Sequence, residues 1–134
     1  VSRGNVKIIE LANQTLLING ELDRVADFFT ADYVAHVTGR DFAGGHEVVK
    51  KMVREYRRAF SQLEISVEVL VKAKSRIAWQ RTFTAIQGGP FKGFPASHQQ
   101  IVWRDMVTSE FRDGLIAEEW VVTDLAEKLL LARK

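Results

Sequence analysis

At Leu63 the spacing of apolar residues in this 134-residue chain changes from three and four to two. From there Leu63, Ile65, Val67, Val69 and Val71 alternate with Glu64, Ser66, Glu68 and Lys72, as in a half-buried strand. What precedes reads as mainly helical. Residues 6–19 carry an apolar stripe of Ile9, Ala12 and Leu16, flanked by Leu11 and Leu17 and stopped by Gly20. Residues 22–29 set Leu22, Val25, Ala26 and Phe29 at helical spacing, 33–37 look extended, and 39–45 read as a loop. Residues 46–60 form a third amphipathic helix, with Val49, Met52, Val53, Tyr56 and Phe60 on one side and Lys50, Lys51, Arg54, Arg57 and Arg58 on the other.

After the first strand, 77–86, 100–111 and 115–123 read as further strands, the last two joined by the Asp113-Gly114 turn signal. Between them the run from Gly88 to Pro95 holds three of the nine glycines and both prolines, an irregular loop. Asp124 is placed to cap a closing helix containing Leu125, Leu129 and Leu130. Helices followed by a strand meander predict one α+β domain over residues 1–134, a curved antiparallel sheet wrapped around three N-terminal helices with a short C-terminal helix. A sheet bent this far makes a cone, and its open end is a natural pocket.

Composition removes several classes of function. The absence of cysteine excludes a disulfide framework, a thiol nucleophile and a Cys-based metal site, and the expected compartment is the cytoplasm. With 19 basic and 17 acidic residues the net charge is only +2, and the densest basic run lies on a solvated helix face, so no nucleic-acid partner is expected. No apolar run approaches the ~20 residues of a membrane span, and residues 1–5 lack a signal-peptide core, so a soluble protein with no membrane partner is expected. His46 and His98 have no metal-ligand spacing, and Gly88-Gly89 does not open a helix that would cradle a phosphate. Neither a metal nor a cofactor is expected.

The order of elements, with Gly89-Pro90-Phe91-Lys92-Gly93-Phe94-Pro95, Phe111-Arg112-Asp113-Gly114-Leu115-Ile116, Glu118-Glu119-Trp120 and Asp124, resembles the SnoaL-like polyketide cyclase family of the nuclear transport factor 2-like superfamily. The likeness runs from the first helix to Leu130. It implies a cone-shaped, cystatin-like α+β barrel, a homodimer through the sheet, a pocket for a small hydrophobic molecule and cofactor-free aldol ring closure. In the family's cyclases a general-base aspartate falls seven residues after the glycine of the last hairpin, where this chain has Val121. A glutamine and a histidine on the preceding strand correspond to Asp105 and Val107, so the trio is not retained. The epoxide-hydrolase branch also has an acid at Val121. A ketosteroid-isomerase reading asks for a tyrosine on the first helix, and the two tyrosines, Tyr33 and Tyr56, lie elsewhere.

Strand alternation supplies other candidates. If Asp113-Gly114 closes a three-residue bulged hairpin, Trp103, Asp105, Val107, Ser109 and Phe111 share a face with Ala117, Glu119 and Val121. A two-residue turn instead puts Asp105 with Glu118 and Trp120. The first register points Asp105 and Glu119 into an apolar cavity, where burial and mutual repulsion raise one of their pKa values. Asp105 is the expected base, Glu119 the second carboxyl, and His36, at the end of the first strand, a third catalytic candidate. Trp103, Val107, Val121, Arg81 and Phe94 are the expected substrate-binding residues. Each acid has a structural alternative: Asp105 paired with Arg81 or Arg104, and Glu119 as a rim or interface charge. Two functions remain, a cofactor-free polyketide cyclase-type enzyme and a non-catalytic small-ligand or dimeric interaction domain.

Overall fold

The computed structural model describes residues 2–133, and its first helix carries the predicted stripe inward. α1 (Ser2–Ala12) buries Ile9 and Ala12, then widens into a π-helical segment, Asn13–Ile18, that buries Leu16 and Leu17. Leu11 is exposed rather than part of the stripe. The segment ends where Gly20 takes a φ of 73° and Arg57 donates to the carbonyls of Leu17 and Ile18, satisfying groups a helix end leaves unpaired. The second helix is a six-residue 3-10 connector, Leu22–Asp27, the tighter winding usual in short pieces.

β1 (Phe29–Val37) starts earlier than its extended core suggested. It folds back through Thr38 and Gly39, both at positive φ, into β2 (Arg40–Ala43). The 39–45 segment is therefore half a hairpin, built on a two-residue turn of the kind that matches strand twist. α2 (His46–Ala59) follows the prediction: Val49, Val53 and Tyr56 are buried while Lys51, Arg54 and Arg58 face out.

β3 (Phe60–Lys72), β4 (Arg76–Gln87), β5 (Gln100–Arg112) and β6 (Leu115–Thr123) form the meander, and α3 (Leu125–Ala132) closes the chain. The sheet order is β2-β1-β6-β5-β4-β3. Neighbours are antiparallel except β1 and β6, which run parallel. The core fills the concave side, where Trp103 lies flat on Phe83 with ring centroids 4.6 Å apart. Asp124 does not cap α3. Its Oδ1 accepts the backbone N–H of Arg104 at 2.8 Å, and the Thr123 hydroxyl accepts the N–H of Leu125 instead.

The loop between β4 and β5 is pinned from inside. The amide of buried Gln87 donates to the carbonyls of Gly89 and Pro95 and accepts the N–H of Ser97. Phe91 and Phe94 pair across a tight turn at Lys92 and Gly93.

Candidate functional site

Which side chains reach the concave side is decided at the last hairpin. Arg112 pairs with Leu115 across Asp113 and Gly114, both at positive φ, so the turn has two residues. The ladder then slips: Phe111 pairs with Ile116 but Glu110 with Glu118, leaving Ala117 as a bulge. The bulge reverses the parity that a two-residue turn alone would impose. Ser109 therefore faces Glu119, Val107 faces Val121, and Asp105 faces Thr123. The face expected from a bulged hairpin is reached by another route.

Across β4 and β5, Arg81 and Asp105 are direct partners. Arg81 Nε donates to Asp105 Oδ2 at 3.0 Å, and Nη1 donates to Asn13 Oδ1 at 2.8 Å. The Asn13 amide is itself fixed, its Nδ2 donating to the Ile9 carbonyl at 2.9 Å. The guanidinium lies 5.3 Å from the Trp79 ring centroid and 5.0 Å from that of Phe83, the setting of a cation over aromatic faces. Asp105 is 1% exposed, and its Oδ1, itself buried, has no hydrogen-bond partner among the described residues.

Glu119 is held differently. The Tyr33 hydroxyl donates to Oε1 at 2.7 Å and the Ser109 hydroxyl to Oε2 at 2.6 Å. Trp79 Nε1 donates to Ser109 Oγ at 2.9 Å, and because an indole only donates, the serine proton is left for Glu119. Burial pushes the Glu119 carboxyl above the usual carboxylate range and the Asp105 charge adds to this, against the opposing pull of Ser109, Tyr33 and Arg81. Burial likewise raises Tyr33 well above an ordinary tyrosine, with the neighbouring Glu119 acting in the same direction.

Asp105 and Glu119 are both among the residues lining a cavity of about 400 Å³. Its walls are Tyr33, Ala35 and Val37 of β1, Phe42 of β2, Val48, Val49, Met52 and Tyr56 of α2, Phe91 of the pinned loop and Val121 of β6. Lys51, Glu55 and Lys92 stand among its lining residues, with Lys92 Nζ 3.2 Å from Glu55. Tyr56 presents a buried hydroxyl, raised by desolvation first and by the Asp105 charge second. No described His, Cys, Asp or Glu residues cluster as metal ligands, and no described helix is long and apolar enough to cross a membrane.

Of the residues singled out in the sequence, Asp105, Glu119, Arg81 and Val121 meet at this cavity. Asp105 adopts its structural alternative, the pair with Arg81, and Glu119 is the carboxyl that burial raises. His36 is a correction. It lies on the opposite face of the sheet, its Nδ1 2.7 Å from Asp41, its Nε2 2.6 Å from Glu118 and its ring stacked on Trp120, because on β1 it is Tyr33, Ala35 and Val37 that point inward. Trp103, Val107 and Phe94 are corrections too: the first two are buried in the core behind the cavity, and Phe91 rather than Phe94 forms its wall. Sequence reasoning gave no site role to Tyr33, Tyr56, Ser109 or Asn13. A signal existed for Asn13, a polar residue within the apolar stripe of residues 6–19, and for Ser109, at an inward parity in β5.

Several solved structures share the fold. A candidate SnoaL-like polyketide cyclase of Jannaschia sp. CCS1 is similar with a TM-score of 0.84 at 22% identity, covering 98% of this chain and 92% of that one. A candidate polyketide cyclase of Acidithiobacillus ferrooxidans has a TM-score of 0.84 at 17% identity, covering 97% and 94%. TsrD of Streptomyces laurentii has 0.79 at 20% identity, covering 95% of each chain. No curated protein matches the sequence. The sequence model of one family, described as SnoaL-like polyketide cyclase, matches residues 7–130, from α1 into α3. On that match, which spans nearly the whole chain, the protein belongs to the SnoaL-like polyketide cyclase family.

Proposed function

We propose that the protein binds a small, largely apolar carbonyl compound in the cone and moves protons on it with Asp105 and Glu119, in an aldol cyclisation or a related isomerisation or hydrolysis. The observation that carries this reading is an apolar chamber of about 400 Å³ whose lining residues include the buried Asp105, Glu119 and Arg81. Small-molecule sites run from roughly 300 to 1,000 Å³, with apolar walls and a few convergent polar groups.

Asp105 takes the acidic proton of an enolisable ketone. In an aldol closure the enolate carbon bonds to a second carbonyl carbon of the same molecule. The oxygen of that carbonyl takes the proton of Glu119, whose burial favours the protonated form. Return of the proton from Asp105 to Glu119 restores both groups. Arg81 offsets the negative charge that develops.

The second reading is a non-catalytic ligand-binding domain, favoured by Val121 at the family's aspartate position and by the Arg81–Asp105 pair. Deuterium exchange at the α-carbon of 2-tetralone in heavy water separates the two. Acceleration that is lost in Asp105→Asn and Glu119→Gln supports the enzyme, whereas binding without acceleration supports the binding domain. A second protomer on the outer sheet face belongs to the same proposal, since Val102, Met106 and Val122 are exposed there. A monomer in sedimentation at high micromolar concentration would remove it.

A further inference from the structure

Tyr56 brings to the cavity a hydroxyl that the fold does not use. Its ring is wedged in an aromatic cage, with centroids 5.4 Å from Phe91, 5.8 Å from Phe83, 6.1 Å from Trp103 and 6.2 Å from Phe60. The cage fixes where the oxygen sits. Among the described residues nothing hydrogen-bonds that oxygen, whereas the Tyr33 hydroxyl is engaged by Glu119. A phenylalanine would fill the same cage, so packing alone does not account for the hydroxyl. Nor is it sealed in the core: the buried side-chain atoms shut off without a partner are Thr30 Oγ1, Trp103 Nε1 and Asp105 Oδ1, and the Tyr56 oxygen is not one of them. It therefore opens on free space, and the free space that Tyr56 borders is the cavity.

We infer that Tyr56 is a ligand-binding residue whose hydroxyl donates a hydrogen bond to a carbonyl oxygen of the compound held in the cavity. This rests on the reading of the cavity as a ligand site and adds the residue that orients the carbonyl there. Desolvation first and the Asp105 charge second keep the phenol protonated, so it acts as a donor and not as a base. Because the donor is held in place before the ligand arrives, the bond forms without reorganisation, and it strengthens if the carbonyl oxygen gains negative charge. A hydrocarbon of the same shape has nothing to accept the proton, so the same hydroxyl discriminates against it.

The test uses two probes of one shape, 2-tetralone and its hydrocarbon tetralin, with Kd read by calorimetry and the carbonyl band of bound 2-tetralone by isotope-edited infrared spectroscopy. Tyr56→Phe is expected to weaken 2-tetralone roughly five- to tenfold, the usual scale for one hydrogen bond, and to leave tetralin unchanged. The carbonyl band is expected at lower frequency in the wild type than in Tyr56→Phe, a signature that a merely structural role would not produce. If the variant weakens both probes alike or neither, or if the band is the same in the two proteins, the inference is overturned while the cavity remains a ligand site. If neither probe binds the wild type, the ligand-site reading itself fails and this inference with it. Should Tyr56→Phe not fold, 3-fluorotyrosine incorporated at position 56 decides: its more acidic hydroxyl is expected to lower the band further, and an unmoved band overturns the inference.

Discussion

Tyr33 and Glu119, 86 residues apart in the chain, meet through a 2.7 Å hydrogen bond between neighbouring parallel strands. The bond gives a buried carboxyl one of its two donors. Tyr33→Phe removes that donor and keeps the ring. The expected cost is about 1–3 kcal/mol of stability, the penalty for leaving a buried polar group a partner short. Urea unfolding at neutral pH measures it, and a change near zero contradicts the assigned bond.

Glu119 also gives a pH signature. Its carboxyl is raised in the folded protein, so the native state holds a proton that the unfolded chain has released. Stability therefore falls as pH rises from the ordinary value of 4.5 through the raised one. Glu119→Gln has nothing to titrate and is expected to flatten the curve in that window. Denaturation midpoints of both proteins across the acid-to-neutral range check the sign.

The buried pair predicts non-additivity. Arg81→Met leaves Asp105 without its cation and Asn13 without its donor, at an expected cost of about 3–5 kcal/mol. Arg81→Met combined with Asp105→Leu removes both charges and recovers most of that loss. A double-mutant cycle with little coupling would contradict the pairing.

Gly45 and Gly93 share a positive φ but not their surroundings. A Cβ on Gly45 would come within 2.0 Å of the Ala31 carbonyl oxygen, whereas one on Gly93 meets nothing within 4 Å. Gly45→Ala is expected to cost about 3 kcal/mol or more, and Gly93→Ala only the left-handed backbone term of about 1–2 kcal/mol. Thermal melts of the two variants rank them directly.

On the outer face, His36 is raised above its ordinary value of 6.5, chiefly by its bond to Asp41 and then by that to Glu118. A raised histidine stabilises fully below the ordinary value and loses that contribution as pH rises through the shifted one. The stability difference between wild type and His36→Gln is expected to be largest in mild acid and to vanish in alkali. Because His36 lies outside the cavity, this variant is expected to leave probe binding unchanged.

Much of the fold was legible because its signals are local. The inward face of α2 follows from 3.6-residue periodicity at Val49, Val53 and Tyr56, and the last hairpin from Asp113-Gly114. The β1–β2 turn escaped notice because Thr38-Gly39 is a weaker form of the same signal. The place of His36 at the end of the first strand does not say which face it occupies, because alternation states which residues share a side but not which side is inward.

The sequence by itself determined most of the succession of elements and the amphipathic faces, which rest on neighbours within a few turns or one hairpin, and the family, which rests on the order of those elements along the chain. Tertiary structure decided the site. The parallel pairing of β1 with β6 joins strands separated by most of the chain and brings Tyr33 to Glu119. The extra residue at Ala117 sets the parity of Glu119 and Val121, and no periodicity reports it because a one-residue slip exchanges the faces of everything beyond. Which oxygen of Asp105 is spoken for depends on Arg81 across the ladder and on Asn13 in a helix 68 residues before that arginine. Such contacts depend on packing between segments far apart in the chain, and only the folded arrangement contains them.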